Sequence, residues 1–133
     1  MRKLHPPAAR PGIVRRLTEE LERHPEVVFA YLYGSCAESL PFRDIDLGVF
    51  LQSSGKRLKT AHTLSAELSS ALALPVDVQL LNRAPTSFLY HVLKGSLLIS
   101  RDDDLLADLI EETARQYLDL APLRRQATRE AFG

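Results

Sequence analysis

The chain has 133 residues, with 17 Lys and Arg balanced by 17 Asp and Glu for a formal net charge of zero. That length holds one ordinary domain. The charge balance supplies no long-range field to gather nucleic acid or an anionic membrane, so direct nucleic-acid binding is not expected. A single cysteine, Cys36, excludes an internal disulfide and a multi-cysteine zinc site, and it suits a reducing cytoplasm. No apolar run approaches the roughly 20 residues that span a bilayer. The basic start has no apolar segment behind it of the kind a secretory signal carries.

Residues 1–11 contain three prolines and read as an irregular N-terminal arm. Ile13, Leu17 and Leu21 recur at helical spacing, and Pro25 stops that helix. The β-branched and aromatic run at residues 27–33 predicts a buried strand that ends at Gly34-Ser35. A second strand is predicted over 45–51, followed by a turn at Ser53, Ser54 and Gly55. Leu58, Ala61, Leu64, Leu68 and Leu72 then line one face of a helix. Pro75 separates it from a third strand over 76–81. Pro85 opens another helix, which stops at Gly95. Residues 96–100 predict a short fourth strand. Asp102, Asp103 and Asp104 precede a long amphipathic helix, where acidic residues cap free N–H groups and suit the macrodipole. The expected fold is α+β (mixed α/β), a small mixed sheet flanked by helices, with residues 12–133 forming a single domain.

Chemistry concentrates around residues 33–50. Successive side chains alternate across a strand, so Asp44 and Asp46 share a face while Ile45, Leu47 and Val49 point to the core. Two adjacent carboxylates repel one another unless a cation compensates them, and a hard divalent cation such as Mg²⁺ is the natural partner. A solvated strand edge is the plainer alternative. Asp77 lies opposite the apolar set Val76, Val78 and Leu80, so it too is aimed away from the core. If its strand neighbours the second one, the backbones lie about 4.8 Å apart and three carboxylates converge. Gly34 lets backbone approach a ligand closely, and Ser35 adds a hydroxyl donor.

Together these features resemble the minimal nucleotidyltransferase (MNT) family, within the DNA polymerase β-type nucleotidyltransferase superfamily. The match lies in YLYGS, then alanine, then D-I-D-L over residues 31–47, with a later V-D-V. The chain departs from the family pattern at Glu38, where arginine is usual, at Ser39, where a second glycine is usual, and at Arg43, where serine is usual. Arg43 either donates to a phosphate or neutralises Asp44. The resemblance implies Asp44, Asp46 and Asp77 as catalytic residues and metal ligands for two Mg²⁺ ions, with Gly34, Ser35 and Arg43 binding ATP. It implies transfer of AMP to a hydroxyl, a tyrosine of a HEPN-family partner, with the chain as antitoxin of a toxin–antitoxin pair. Two other readings stay open: an impaired relative that neutralises a partner by binding alone, and a small-molecule nucleotidyltransferase acting as a homo-oligomer. Leu118 and Leu120 are candidate partner contacts. The four histidines are expected at the surface or in helix packing, and Cys36 as a buried filler.

Overall fold

A computed structural model describes residues 3–52 and 55–132, with side chains as far as residue 119. The helices are α1 (Arg10–Glu22), α2 (Arg57–Leu72), α3 (Thr86–Leu93) and α4 (Asp103–Phe132). The strands are β1 (Val27–Tyr33), β2 (Ile45–Leu51), β3 (Val76–Leu80) and β4 (Ser96–Ser100). They form one sheet in the order β3-β2-β1-β4. β1 is antiparallel to both β2 and β4, and β2 runs parallel to β3. The sheet is therefore mixed, as expected for an α+β fold. The parallel pair requires a crossover, and α2 supplies it.

Each face of the sheet has its own core. On one face Leu17 and Leu21 of α1, with Ala61, Leu64 and Leu68 of α2, pack on Leu32, Ile45, Leu47, Val49, Val76 and Val78. Leu17, Leu21, Ile45 and Leu47 are completely buried, each stabilising the fold by roughly 1.5–3 kcal/mol through burial. On the other face Phe29, Tyr31 and Tyr33 meet Leu89 and Val92 of α3 and Leu106 of α4. Gly48 of β2 allows that contact: a Cβ there would stand 2.6 Å from Val92 Cγ1.

One apolar residue leaves the expected pattern. Leu58 begins the predicted stripe of α2 but is 70% exposed. It lies in the first turn of α2, ahead of the residues that reach the core. The N-terminal arm is more ordered than its prolines suggested. A 3-10 turn spans Pro7–Ala9, and α1 starts at Arg10 with proline in its first turn, where a missing N–H costs nothing. His5 and Phe42 exchange two backbone hydrogen bonds of 2.7 and 3.0 Å, and their rings stack at 5.6 Å. The arm thus braces the loop that leads into β2. Asp102 caps α4 as anticipated, its carboxylate accepting from the Leu105 N–H at 3.0 Å.

Side chains of α2 close the open edge of the sheet at β3. The Val76 N–H donates to Ser69 Oγ at 2.9 Å, and the Val78 N–H donates to Ser65 Oγ at 3.0 Å. Both serines lie one turn apart on α2, so the helix satisfies donors that would otherwise invite another strand. Ser53 and Ser54 of the predicted turn lie outside the described residues, as does the side chain of Leu120; Leu118 is 61% exposed.

Candidate active site

Three strand positions form a row across the sheet. Asp77 is the Cα partner of Asp46, and Asp46 is the Cα partner of Tyr33. Directly paired residues put their side chains on one face. This row therefore lies on the α3 side of the sheet, where Tyr33 packs against Phe88 and His91. Asp44 stands one residue before β2, two positions from Asp46. The structure thus brings Asp46 and Asp77 together and holds Asp44 beside them. Asp77 is exposed, while Asp44 and Asp46 are half-buried. Gln79 Nε2 donates to Asp77 Oδ2 at 2.8 Å.

The electrostatics follow from that crowding. Burial, then the charges of Asp77 and Asp44, hold the Asp46 carboxyl above its ordinary range, while His91 opposes the shift. Burial, then Asp46 and Asp77, push the Tyr33 phenol up to about 12. Tyr33 therefore keeps its proton throughout the neutral range.

Gly34 follows Tyr33 directly, with φ of +80°. A Cβ at Gly34 would lie 2.6 Å from Asp46 Oδ2. Glycine is required twice here, for its conformation and for the carboxylate it must clear. The chain then turns tightly: the Glu38 N–H donates to Gly34 O at 3.2 Å, and the Leu40 N–H to Ser35 O at 3.1 Å. Ser39 sits in this turn with φ of +60°, in the left-handed region. Ser35 is half-buried, Arg43 is exposed and Cys36 is buried. Burial pushes the Cys36 thiol up, against the nearby charge of Arg10, which fits an inert filler.

Sequence reasoning set aside His91 and passed over Tyr33 and Lys94. His91 packs edge-on to Tyr33 with ring centroids 5.7 Å apart. A cavity of about 190 Å³ is lined by Tyr33, Gly34, Ala37, Glu38, His91 and Lys94. A second, of about 230 Å³, opens at Asp77, with Leu58, His62 and Gln79 in its wall. The larger concavity of about 360 Å³, around His24 and Lys59, contains none of the three carboxylates. A basic side chain in the last turn of α3, two turns after Pro85, was the only sequence signal for His91.

The donor set is oxygen-only, which is the chemistry of a hard divalent cation. The bare Gly34 backbone leaves Asp46 Oδ2 unobstructed by any Cβ. Among the described residues no three His, Cys, Asp or Glu side chains close into a metal cage. Mg²⁺ is held by one or two carboxylates together with water and substrate phosphates rather than by an all-protein cage, and this open set fits that mode.

The family model described as polymerase beta, nucleotidyltransferase matches residues 15–104. None of the curated proteins compared with the chain matches it in sequence. Among solved structures, the chain resembles one in a toxin–antitoxin complex with AMP-PNP, with a TM-score of 0.71 and 22% identity, covering 90% of this chain and 98% of that one. It also resembles one in the complex of a tri-AMPylated Shewanella oneidensis HEPN toxin with MNT antitoxin, with a TM-score of 0.68 and 20% identity, covering 93% and 99%. A third match is the MntA–HepT toxin–antitoxin structure, with a TM-score of 0.68 and 20% identity, covering 92% and 99%. At such identities the likeness is one of fold.

Proposed function

The chain belongs to the polymerase beta nucleotidyltransferase family, and on that footing we propose that it transfers AMP from ATP to a hydroxyl of a partner protein. The partner we infer is a HEPN-family toxin, the hydroxyl a tyrosine, and the chain the antitoxin. The observation that carries this reading is the pairing of Asp46 with Asp77 across β2 and β3, with Asp44 two residues away. The HEPN partner is supported by the complexes whose fold the chain shares, and the nucleotide by the AMP-PNP complex.

In this reading Asp44, Asp46 and Asp77 hold Mg²⁺ together with the triphosphate. The cation supplies charge that stabilises the attacking and leaving oxygens. The Gly34-Ser35 turn brings backbone close to phosphate, and exposed Arg43 adds a cationic donor. Asp77 accepts the proton of the attacking hydroxyl. That oxygen bonds to the α-phosphorus, and the bond from the α-phosphorus to the bridging oxygen breaks. Pyrophosphate leaves with the electron pair. The protein's contribution is positioning and charge compensation rather than covalent catalysis.

The test is adenylylation of a HEPN partner with labelled ATP and Mg²⁺, comparing wild type with Asp46→Asn. Labelling falls by about a hundredfold or more in the variant if the carboxylates act as described; equal labelling refutes it. One observation favours a second reading, in which the chain neutralises its partner by binding alone. Ser39 occupies a left-handed position, and such a position suits glycine better than any residue with a Cβ. Affinity for Mg²⁺·ATP separates the two, because a purely occluding protein needs none.

A further inference from the structure

β3 is an edge strand, and only part of its outer rim is closed. The Ile45 N–H donates to Pro75 O at 2.9 Å, and the Leu81 N–H donates to Val49 O at 2.8 Å. In that parallel register Pro75, Asp77, Gln79 and Leu81 turn their backbone groups toward β2. Val76, Val78 and Leu80 turn theirs outward. Ser69 Oγ occupies both groups of Val76, accepting from the N–H at 2.9 Å and donating to the carbonyl at 3.3 Å. Ser65 Oγ accepts from the Val78 N–H. The closure stops there. The Val78 carbonyl and both backbone groups of Leu80 have no hydrogen bond to any described residue.

Different surfaces flank this open rim. Asp77 is exposed, and its carboxylate stands on the α3 side with the Gln79 amide donating to it. On the α2 side a cavity of about 230 Å³ runs between β3 and α2. Its wall includes Ala61, Leu80 and Leu58, and Leu58 is 70% exposed. A strand laid beside β3 lies in the plane of the sheet about 4.8 Å away, so its side chains alternate between these two sides.

We propose that the open half of β3 pairs with an extended segment of the acceptor polypeptide and so brings the acceptor hydroxyl to Asp77. The inference rests on the nucleotidyl-transfer reading and supplies the acceptor site that this reading leaves unplaced. Asp77, which takes the hydroxyl proton in that reading, lies on the same strand as the unpaired groups, so one segment satisfies both. An antiparallel segment exchanges two bonds with Leu80 through a single residue, and the N–H two residues further on reaches the Val78 carbonyl. The residue across from Leu80 faces the α2 side, where an aliphatic side chain covers Leu58 and Ala61. The next residue lies across from Gln79 and faces the α3 side, diagonal to Asp77. Such a diagonal is about 7–8 Å, which an aromatic side chain spans and serine does not. The site therefore selects an aliphatic residue followed by tyrosine. That tyrosine extends the row Tyr33, Asp46, Asp77 by one strand.

The test follows adenylylation of a HEPN partner at varied partner concentration by wild type, Leu58→Asp, Leu80→Ala and Leu80→Pro. Proline at position 80 deletes only the outward N–H, because the inward bonds belong to Gln79 and Leu81. Leu80→Ala controls for the lost side chain. KM for the partner should rise about tenfold in Leu58→Asp, and about tenfold above Leu80→Ala in Leu80→Pro. Affinity for Mg²⁺·ATP and kcat should stay at their wild-type values. Thermal midpoints verify folding, and exposed Leu58 decides the matter where Leu80→Pro does not fold. A wild-type KM in either folded variant, with Asp46→Asn losing its labelling, overturns the edge assignment and leaves the transfer reading standing. If the chain alone sediments as a dimer that Leu80→Pro dissociates, a second copy holds the edge and the assignment is likewise overturned. If wild type labels no partner hydroxyl, the transfer reading itself fails and takes the assignment with it.

Discussion

Asp46 faces Asp77 across the parallel β2–β3 ladder as a direct pair. Sliding β3 by one residue would put Val76 or Val78 on the carboxylate face and turn Asp77 into the core. Val76 and Val78 are buried on the α2 side, and the Ser65 and Ser69 hydrogen bonds to β3 lock that register. The acidic pair is thus a by-product of apolar packing on the opposite face.

The pairing makes Asp46 a source of strain in the metal-free protein. Its carboxyl is held above the ordinary range by burial and by Asp77 and Asp44, so the folded state binds more protons than the unfolded one once pH exceeds the unfolded value of 3.8. Stability contributed by Asp46 falls as pH rises through that window and stays lower at neutral pH. Asp46→Asn should raise the metal-free thermal midpoint by a few degrees at pH 7 and lose that advantage near pH 4. Scanning calorimetry at both pH values checks this. The same variant should lower the Tyr33 phenol from about 12, read by ultraviolet titration of tyrosinate.

Gly34 and Ser39 occupy similar backbone conformations with opposite consequences. Gly34→Ala places a Cβ at φ of +80° against Asp46 Oδ2. It should cost about 1–2 kcal/mol in denaturant unfolding and displace the carboxylate, with nucleotide affinity falling in parallel. Ser39→Gly removes a left-handed strain and should stabilise the fold by up to about 1 kcal/mol. A loss of stability in Ser39→Gly would show that the serine side chain holds the turn.

Ser65→Ala strips the Val78 N–H of its acceptor. An unsatisfied buried donor costs about 1–3 kcal/mol, and β3 becomes an open edge. Chemical denaturation should register the loss. Light scattering on warming should show earlier association than in wild type.

Arg101 ties the end of α1 to the start of α4. Its guanidinium donates to the carbonyls of Val27 at 2.6 Å, Glu22 at 3.0 Å, His24 at 3.2 Å and Leu21 at 3.4 Å. Leu21 and Glu22 end α1, where carbonyls lack an intrahelical partner, while His24 lies in the turn that follows and Val27 opens β1. Arg101→Met should destabilise by about 2 kcal/mol. Arg101→Lys should recover less than half, because an ammonium cannot fork across four acceptors. Thermal unfolding of both variants decides it.

Much of this architecture is legible along the chain, because periodicity and punctuation are local. Pro25, Gly34, Pro75, Pro85 and Gly95 mark element ends that the structure keeps within a residue or two. The alternation in residues 45–49 and 76–80 determined which way Asp46 and Asp77 point, since a strand turns every second side chain outward. Leu58 shows the limit of periodicity: it fits the apolar stripe of α2 and is nonetheless exposed, because a stripe says nothing about where its neighbour ends.

Adjacency was decided only in three dimensions. Nothing local dictates that β3 lies beside β2, that Tyr33 completes the row, or that α3 brings His91 and Lys94 to the far end of it. These contacts join residues separated by tens of positions, and they follow from which apolar faces bury one another best. The amino-acid sequence set the chemistry each strand could offer and the side on which it is offered; packing of two cores on one sheet decided which of those groups meet.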